Sequence, residues 1–199
     1  MEEIHYLLKP DWVTWDDIKE CMTKAHEVNR KKGVVMQNQY MTPDEFKDYY
    51  KDAYCFVALC DNKVIGTCSL RIIDGHAWWA KGIEAYTFGD AILPNYRGTD
   101  VFEKLNALRK QYIVNSKAKV VCFDTAENNV VVQKFNLRKG AKRVRLISSR
   151  KTWYYSVVMV IWLEGCPFSD WYCDFRYKLS CFLVKLVFKP GRKFRFWFS

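Results

Sequence analysis

Residues 90 to 105 read DAILPNYRGTDVFEKL: an apolar run stopped by Pro94, a short polar loop, then a helical pattern. A loop that enters a helix N-terminus offers backbone N–H groups with no partner inside the helix, at the positive end of its dipole, and so forms a site for phosphate. Arg97 adds a full positive charge to that loop, and Gly98 lets a ligand approach the backbone. Upstream, alternation along residues 84 to 93 puts Glu84, Tyr86, Phe88, Asp90 and Ile92 on one face, with two carboxylates among them. The plainer reading has Glu84 starting the strand at the surface and Asp90 pairing with a base such as Arg71. His26, Asn29 and Arg30 lie three and four residues apart and share one side of a helix. Either Arg30 clamps a phosphate or carboxylate there, or the three form a solvated basic face. Asn129 opens a further helix, where it is suited to be an N-cap. With three histidines (His5, His26, His76) and no paired His/Cys spacing, no metal site is expected. Cys122 sits in an apolar run without a histidine partner, which argues against a nucleophilic thiol.

The elements that position these residues follow from periodicity. Residues 4 to 9 read as a strand closed by Pro10. Trp15, Ile18, Met22, Ala25 and Val28 recur at helical spacing after Thr14, until Gly33. Thr42, Pro43, Asp44 and Glu45 start a second helix, with a cap, a first-turn proline and acids near the positive dipole end. The period then drops to two: residues 54 to 60 and 64 to 73 flank an Asp61-Asn62 turn as a hairpin, and 84 to 93 form the next strand. A helix follows to about Asn115, then a buried strand at VVCFDT, a helix from Asn128 to Lys139, and closing strands at 142 to 149 and 152 to 163. This order predicts an α/β fold, a mixed and mostly antiparallel sheet with helices on both faces. Ligands in such sheets bind outside the carboxyl ends of strands, here the junctions at 94 to 99 and 124 to 129.

The chain has 199 residues, 50% of them hydrophobic, 17% aromatic and 27% charged, which excludes disorder, collagen and coiled coil and suits one globular domain with an appendage. Residues 1 to 164 are read as the domain and 165 to 199 as a basic, aromatic extension. Net charge is +10, and residues 165 to 199 hold seven basic against two acidic residues. A helix is expected from Trp171 to Phe188, with Trp171, Phe175, Leu179, Phe182 and Leu186 on one stripe, followed by Pro190-Gly191 and RKFRFWFS. Rings interleaved with cations suit an anionic membrane surface, while packing on the domain or on a second subunit is the alternative and leaves homo-oligomerisation open. The long aliphatic residues argue against nucleic acid. The eight cysteines contain no CxxC and read as reduced core residues. The first residues lack a signal-peptide pattern and no 18-residue apolar run occurs, so a cytoplasmic protein is expected, peripheral on the inner membrane face if the tail engages lipid.

The stretch DAILPNYRGTDVFEKL, together with Asn129, Val132, Phe135, Arg138 and Lys139-Gly140, resembles the GNAT superfamily of acyl-CoA-dependent N-acyltransferases, and the element order matches over residues 4 to 163. AHEVNRKKG (25 to 33), FDT (123 to 125) and VVMVIWLEGCPFSD (157 to 170) are similar to members from bacterial surface-polysaccharide gene clusters. The resemblance implies transfer of an acetyl or similar acyl group from acetyl-CoA to an amine, here an amino sugar, nucleotide- or lipid-linked. It implies cofactor contacts at Ile92, Leu93, Arg97, Gly98, Thr99, Asp100 and Val101, with Asn129 toward the pantetheine amides, and an acceptor wall carrying His26, Asn29 and Arg30. Glu84 or Asp90 would be the base. The family's pattern Gln/Arg-x-x-Gly-x-Gly/Ala meets Arg97 but finds Asp100 and Phe102 at its glycine positions. Asp100 must therefore turn outward and cap the helix, as Asp readily does. The family's helix tyrosine that protonates the leaving thiolate falls on Asn136, so Tyr112, Tyr154 or Tyr155 would substitute in space. A fold of this kind that has lost CoA binding and acts as an interaction module is the alternative, favoured by Asp100 and Phe102.

Overall fold

The structure, a computed structural model, describes residues 3–31, 41–148 and 155–187. Its elements run β1 (Ile4–Leu8), α1 (Trp15–Lys31), α2 (Pro43–Tyr50), β2 (Tyr54–Cys60), β3 (Lys63–Gly75), β4 (Gly82–Ile92), a single 3-10 turn (Pro94–Tyr96), α3 (Val101–Asn115), β5 (Val120–Ala126), α4 (Val130–Arg138), β6 (Lys142–Ser148), β7 (Tyr155–Trp162) and α5 (Asp170–Val187). The strands form one sheet in the order β1-β2-β3-β4-β5-β7-β6, antiparallel except where β4 meets β5. The mixed sheet expected from the sequence is the one observed.

Local chemistry explains the boundaries. Asp61 and Asn62 both take positive φ (47° and 60°), as the two-residue turn of a twisted hairpin requires. Thr42 and Glu45 form a reciprocal capping box at the start of α2. Ile18, Cys21, Met22 and Ala25 are the buried stripe of α1, and with Phe46 and Tyr50 of α2 they cover one face of the sheet. Val101, Leu105 and Ile113 of α3 cover the other, against Phe56, Cys68, Leu70 and Ala85. All eight cysteines are free thiols. Burial raises those of Cys21, Cys68 and Cys122, Cys21 to about 12, so they behave as small hydrophobic groups.

Two features of the sheet shape the site. Between Thr67 and Ser69, the one residue Cys68 of β3 faces two of β4, so β4 bulges at Gly89 and Asp90. Gly89 has φ +68°, and a Cβ there would stand 2.8 Å from the Tyr50 hydroxyl, which leaves glycine as the residue that fits. The bulge inverts the alternation. Phe88 packs in the α1/α2 layer, whereas Ile92 packs in the α3 layer. The expectation that Glu84, Tyr86, Phe88, Asp90 and Ile92 share one face is therefore corrected beyond Phe88: the extra residue turns Asp90 toward α3.

The second feature is the β6 edge. α5 lies along it, and the Ser180 hydroxyl accepts the Leu146 N–H at 2.9 Å, a backbone donor that no further strand takes up. Tyr177, Cys181 and Val184 pack on Leu146, Val157 and Met159. Among the described residues no helix is long and apolar enough to cross a membrane.

Candidate active site

β4 and β5 pair only where Glu84–Tyr86 faces Val120–Cys122. Beyond Tyr86 and Cys122, β4 continues along β3 to Ile92 while β5 continues along β7 to Ala126. The two strands part, and each keeps an edge of peptide groups with no strand opposite. Such groups need partners, and an extended ligand bearing amides can supply them. The parting opens at the carboxyl ends of both strands, where α3 and α4 begin.

At that mouth the α3 N-terminus carries the loop expected to bind phosphate. The amides of Gly98, Thr99, Asp100, Phe102 and Glu103 make no hydrogen bond among the described residues, as the first turn of a helix dictates. Gly98 takes φ +79° and no atom lies within 4 Å of a Cβ placed there, so the backbone is open. Asp100 occupies the N-cap without a side-chain cap and pairs instead with Lys104 at 2.8 Å. It turns outward, as required, though by an ion pair rather than by capping. Phe102 is half-buried. Arg97 departs from expectation: its guanidinium donates to the Ala25 carbonyl and, at 3.3 Å, to that of Ile92. It ties the loop to α1, because one carbonyl within α1 and one at the end of β4 lie within its reach. The Asn129 side chain accepts the Val132 N–H at 3.4 Å as the N-cap of α4. These open amides and two positive helix ends fit the diphosphate and pantetheine of acetyl-CoA.

The carboxylates are distributed differently from the sequence expectation. Glu84 is 6% exposed, next to the Cys122 thiol, and burial pushes its carboxyl above the ordinary value. It sits in the paired part of the strands, below the parting. Asp90 accepts a two-pronged bond from Arg109 of α3, at 2.5 and 3.2 Å, rather than pairing with Arg71. Arg71 instead donates to the Tyr49 carbonyl and lies over the Tyr49 and Phe88 rings. On the α1/α2 side of the parting, the Tyr86 hydroxyl donates to Asp124 at 2.6 Å, bridging β4 and β5. Burial, and then the Asp124 carboxylate, raise the Tyr86 hydroxyl well above its ordinary value, so it stays a donor. A further hydrogen bond links Tyr86 with Tyr49. This Tyr49, Tyr86, Asp124 line was missed in the sequence, where Asp124 entered only as a letter of FDT. Its signal was the strand-to-helix junction at 124 to 129.

His26 and Asn29 are brought together, with Asn29 Nδ2 3.2 Å from His26 Nδ1. The His26 ring also hydrogen-bonds the Asp90 backbone, and burial followed by the Arg97 charge holds it below its ordinary pKa. The pair thus faces the end of β4 and is part of its support. Arg30 is in the last turn of α1, its side chain outside the described residues, as is Tyr154. Asn136 donates to the Val132 carbonyl within α4 and offers no titratable proton. An open cleft of about 420 Å3 lies between α1 (Thr23, Lys24, Glu27) and the turn at Leu93 to Tyr96. No group of three or more His, Cys, Asp or Glu able to hold a metal occurs among the described residues.

The fold has many counterparts among solved structures. An acetyltransferase from Streptococcus agalactiae superposes with TM-score 0.59 at 19% identity, over 82% of this chain and 100% of its own. A GNAT-family acetyltransferase from Staphylococcus aureus gives 0.59 at 11%, over 81% and 99%. A chain of the NatC complex bound to Gag peptide and CoA gives 0.57 at 14%, over 81% and 99%. No curated protein sequence matches this one. The model of the acetyltransferase (GNAT) family matches residues 15–139, which run from α1 through the parted strands to the end of α4, more than half of the chain. This chain belongs to the GNAT acetyltransferase family, whose members transfer acetyl groups from acetyl-CoA.

Proposed function

We propose that this protein acetylates the amine of an amino sugar, nucleotide- or lipid-linked, in surface-polysaccharide synthesis. The observation that carries the transfer is the parting of β4 and β5, with open α3 amides at its mouth and the Tyr86–Asp124 pair on its α1/α2 side.

The amides of Gly98, Thr99, Asp100, Phe102 and Glu103 hold the diphosphate of acetyl-CoA, and Ile92, Leu93 and Asn129 flank its pantetheine arm. Val101, expected from the resemblance to touch the cofactor, is instead fully buried against the sheet and supports the loop from below. The cofactor supplies an acyl group activated as a thioester. Edge amides of β4 past Tyr86 donate to the acyl oxygen as it gains charge, and they are fixed beforehand by pairing with β3. Asp124, held by the Tyr86 hydroxyl, binds the acceptor's ammonium and relays its proton toward solvent. It takes the role that the resemblance implies for Glu84 or Asp90. His26, Asn29 and Arg30 are the proposed acceptor wall, with His26 acting through the β4 end. Tyr154, outside the described residues, is the candidate donor to the leaving thiolate.

The test is steady-state kinetics of CoA release with a panel of nucleotide-linked amino sugars. Asp124→Asn should lower kcat by roughly 100-fold while KM for acetyl-CoA stays unchanged, and Glu84→Gln should keep most activity. Full activity in Asp124→Asn would overturn the assignment, and acetylation of peptide amines in preference to every sugar would overturn the acceptor class.

A further inference from the structure

α5 has two faces of opposite character. Cys173, Tyr177, Ser180, Cys181 and Val184 close the β6 edge. The other face bears Trp171, Phe175, Leu179, Phe182 and Leu186, spaced by four, four, three and four residues, with Trp171 72%, Phe182 65% and Leu186 67% exposed. The Trp171 and Phe175 rings stack nearly parallel, 5.5 Å apart, on this outer surface. Five large apolar side chains in one helical stripe, facing away from the domain, call for a partner.

The direction of α5 bears on what that partner is. Its first turn pairs with the start of β6 through Asp170 and Lys142, at 2.7 Å. Its last turn reaches Glu127 through Lys185, at 2.6 Å, three residues beyond Asp124. The chain therefore leaves α5 at the end of the sheet where β4 and β5 part. In sequence, residues 188 to 199 contain Lys189, Arg192, Lys193 and Arg195 and no acidic residue, interleaved with Phe188, Phe194, Phe196, Trp197 and Phe198. The cations of α5 itself are engaged: Lys178 with Asp174, Lys185 with Glu127, and Arg176 over the Trp78 ring. Further positive charge thus comes from the sequence beyond Val187. Rings with lysines and arginines and no acids match a lipid interface, whereas lysine is depleted from the centres of protein interfaces.

We infer that the outer stripe of α5 seats the domain on an anionic lipid surface, the positive charge being supplied by the basic sequence that follows Val187. Resting on the proposed acetyl transfer, the consequence for substrate is an acceptor amine presented at that surface, as on a lipid-linked sugar. The seating itself does not depend on any acyl chemistry.

Because α5 closes the β6 edge, removing it would uncover a strand, and a test by truncation after Gly165 would confuse binding with folding. The full-length protein is therefore compared with Phe182→Glu/Leu186→Glu, and with a variant in which Lys189, Arg192, Lys193 and Arg195 become Gln. Sedimentation uses vesicles of phosphatidylglycerol with phosphatidylcholine, and of phosphatidylcholine alone. The wild type should pellet with the anionic vesicles only. The stripe variant should bind about tenfold more weakly with an unchanged melting temperature, and the glutamine variant should lose the salt-sensitive part of binding. Wild type remaining in the supernatant at low salt would overturn the inference. So would equal pelleting of all three proteins, or a dimer in sedimentation velocity that the stripe variant abolishes without any vesicle binding.

Discussion

Burial and the neighbouring Arg97 charge hold the His26 ring below its ordinary pKa, so the folded protein keeps it neutral where the unfolded chain takes up a proton. The unfolded state then binds more protons below about pH 6.5, and stability falls as pH falls through that region. Urea midpoints at pH 7 and pH 5 should show the wild type losing more stability than His26→Gln on acidification. Parallel losses would mean that another group governs the acid limb. The same residue shows where sequence reading stopped. The spacing of His26 and Asn29 placed them side by side, but it could not show that Asp90 and Arg97 would meet them, since those contacts join residues more than sixty positions apart. Tyr86 and Asp124 are a second case. Each is ordinary in its own strand, and they become a site only because β4 and β5 lie parallel up to Tyr86 and part beyond it.

Among elements, helices were legible because their buried stripes repeat at 3.6 residues, as in Ile18, Met22 and Ala25 of α1, and the inner strand YCFVALC because it is a continuous apolar run: it is buried on both faces from Cys55 to Cys60 rather than alternating at two. Periodicity failed at the bulge. A single extra residue at Gly89–Asp90 shifts the period without any change in composition, so alternation alone puts Asp90 on the wrong face. The α3 junction was legible because proline, loop and helix adjoin in sequence. Its side chains were less so: Arg97 binds α1 and Asp100 binds Lys104, leaving backbone amides as the proposed anion site. Gly98→Val should therefore raise KM for acetyl-CoA, since a β-branched residue at φ +79° is strained and must displace those amides. Asp100→Gly should leave cofactor affinity equal or improved, by removing a carboxylate near two phosphates. Loss of activity in Asp100→Gly would give that carboxylate a positive role.

For the whole molecule, the +10 charge and the aromatic tail set the extension apart from the domain in the sequence, yet only the structure shows that α5 belongs to both. One face of it completes the sheet by covering β6, and the other is left for a surface outside the domain. The parted strands and two helix N-termini converge on one end of the sheet, which is where a thioester cofactor and an amine would meet. Isothermal titration of the full-length chain with acetyl-CoA tests this most directly. Saturable binding at one site per chain, weakened in Gly98→Val and accompanied by a rise in melting temperature, is the predicted result; no heat and no thermal shift would contradict it and leave an acetyltransferase fold that serves as an interaction module.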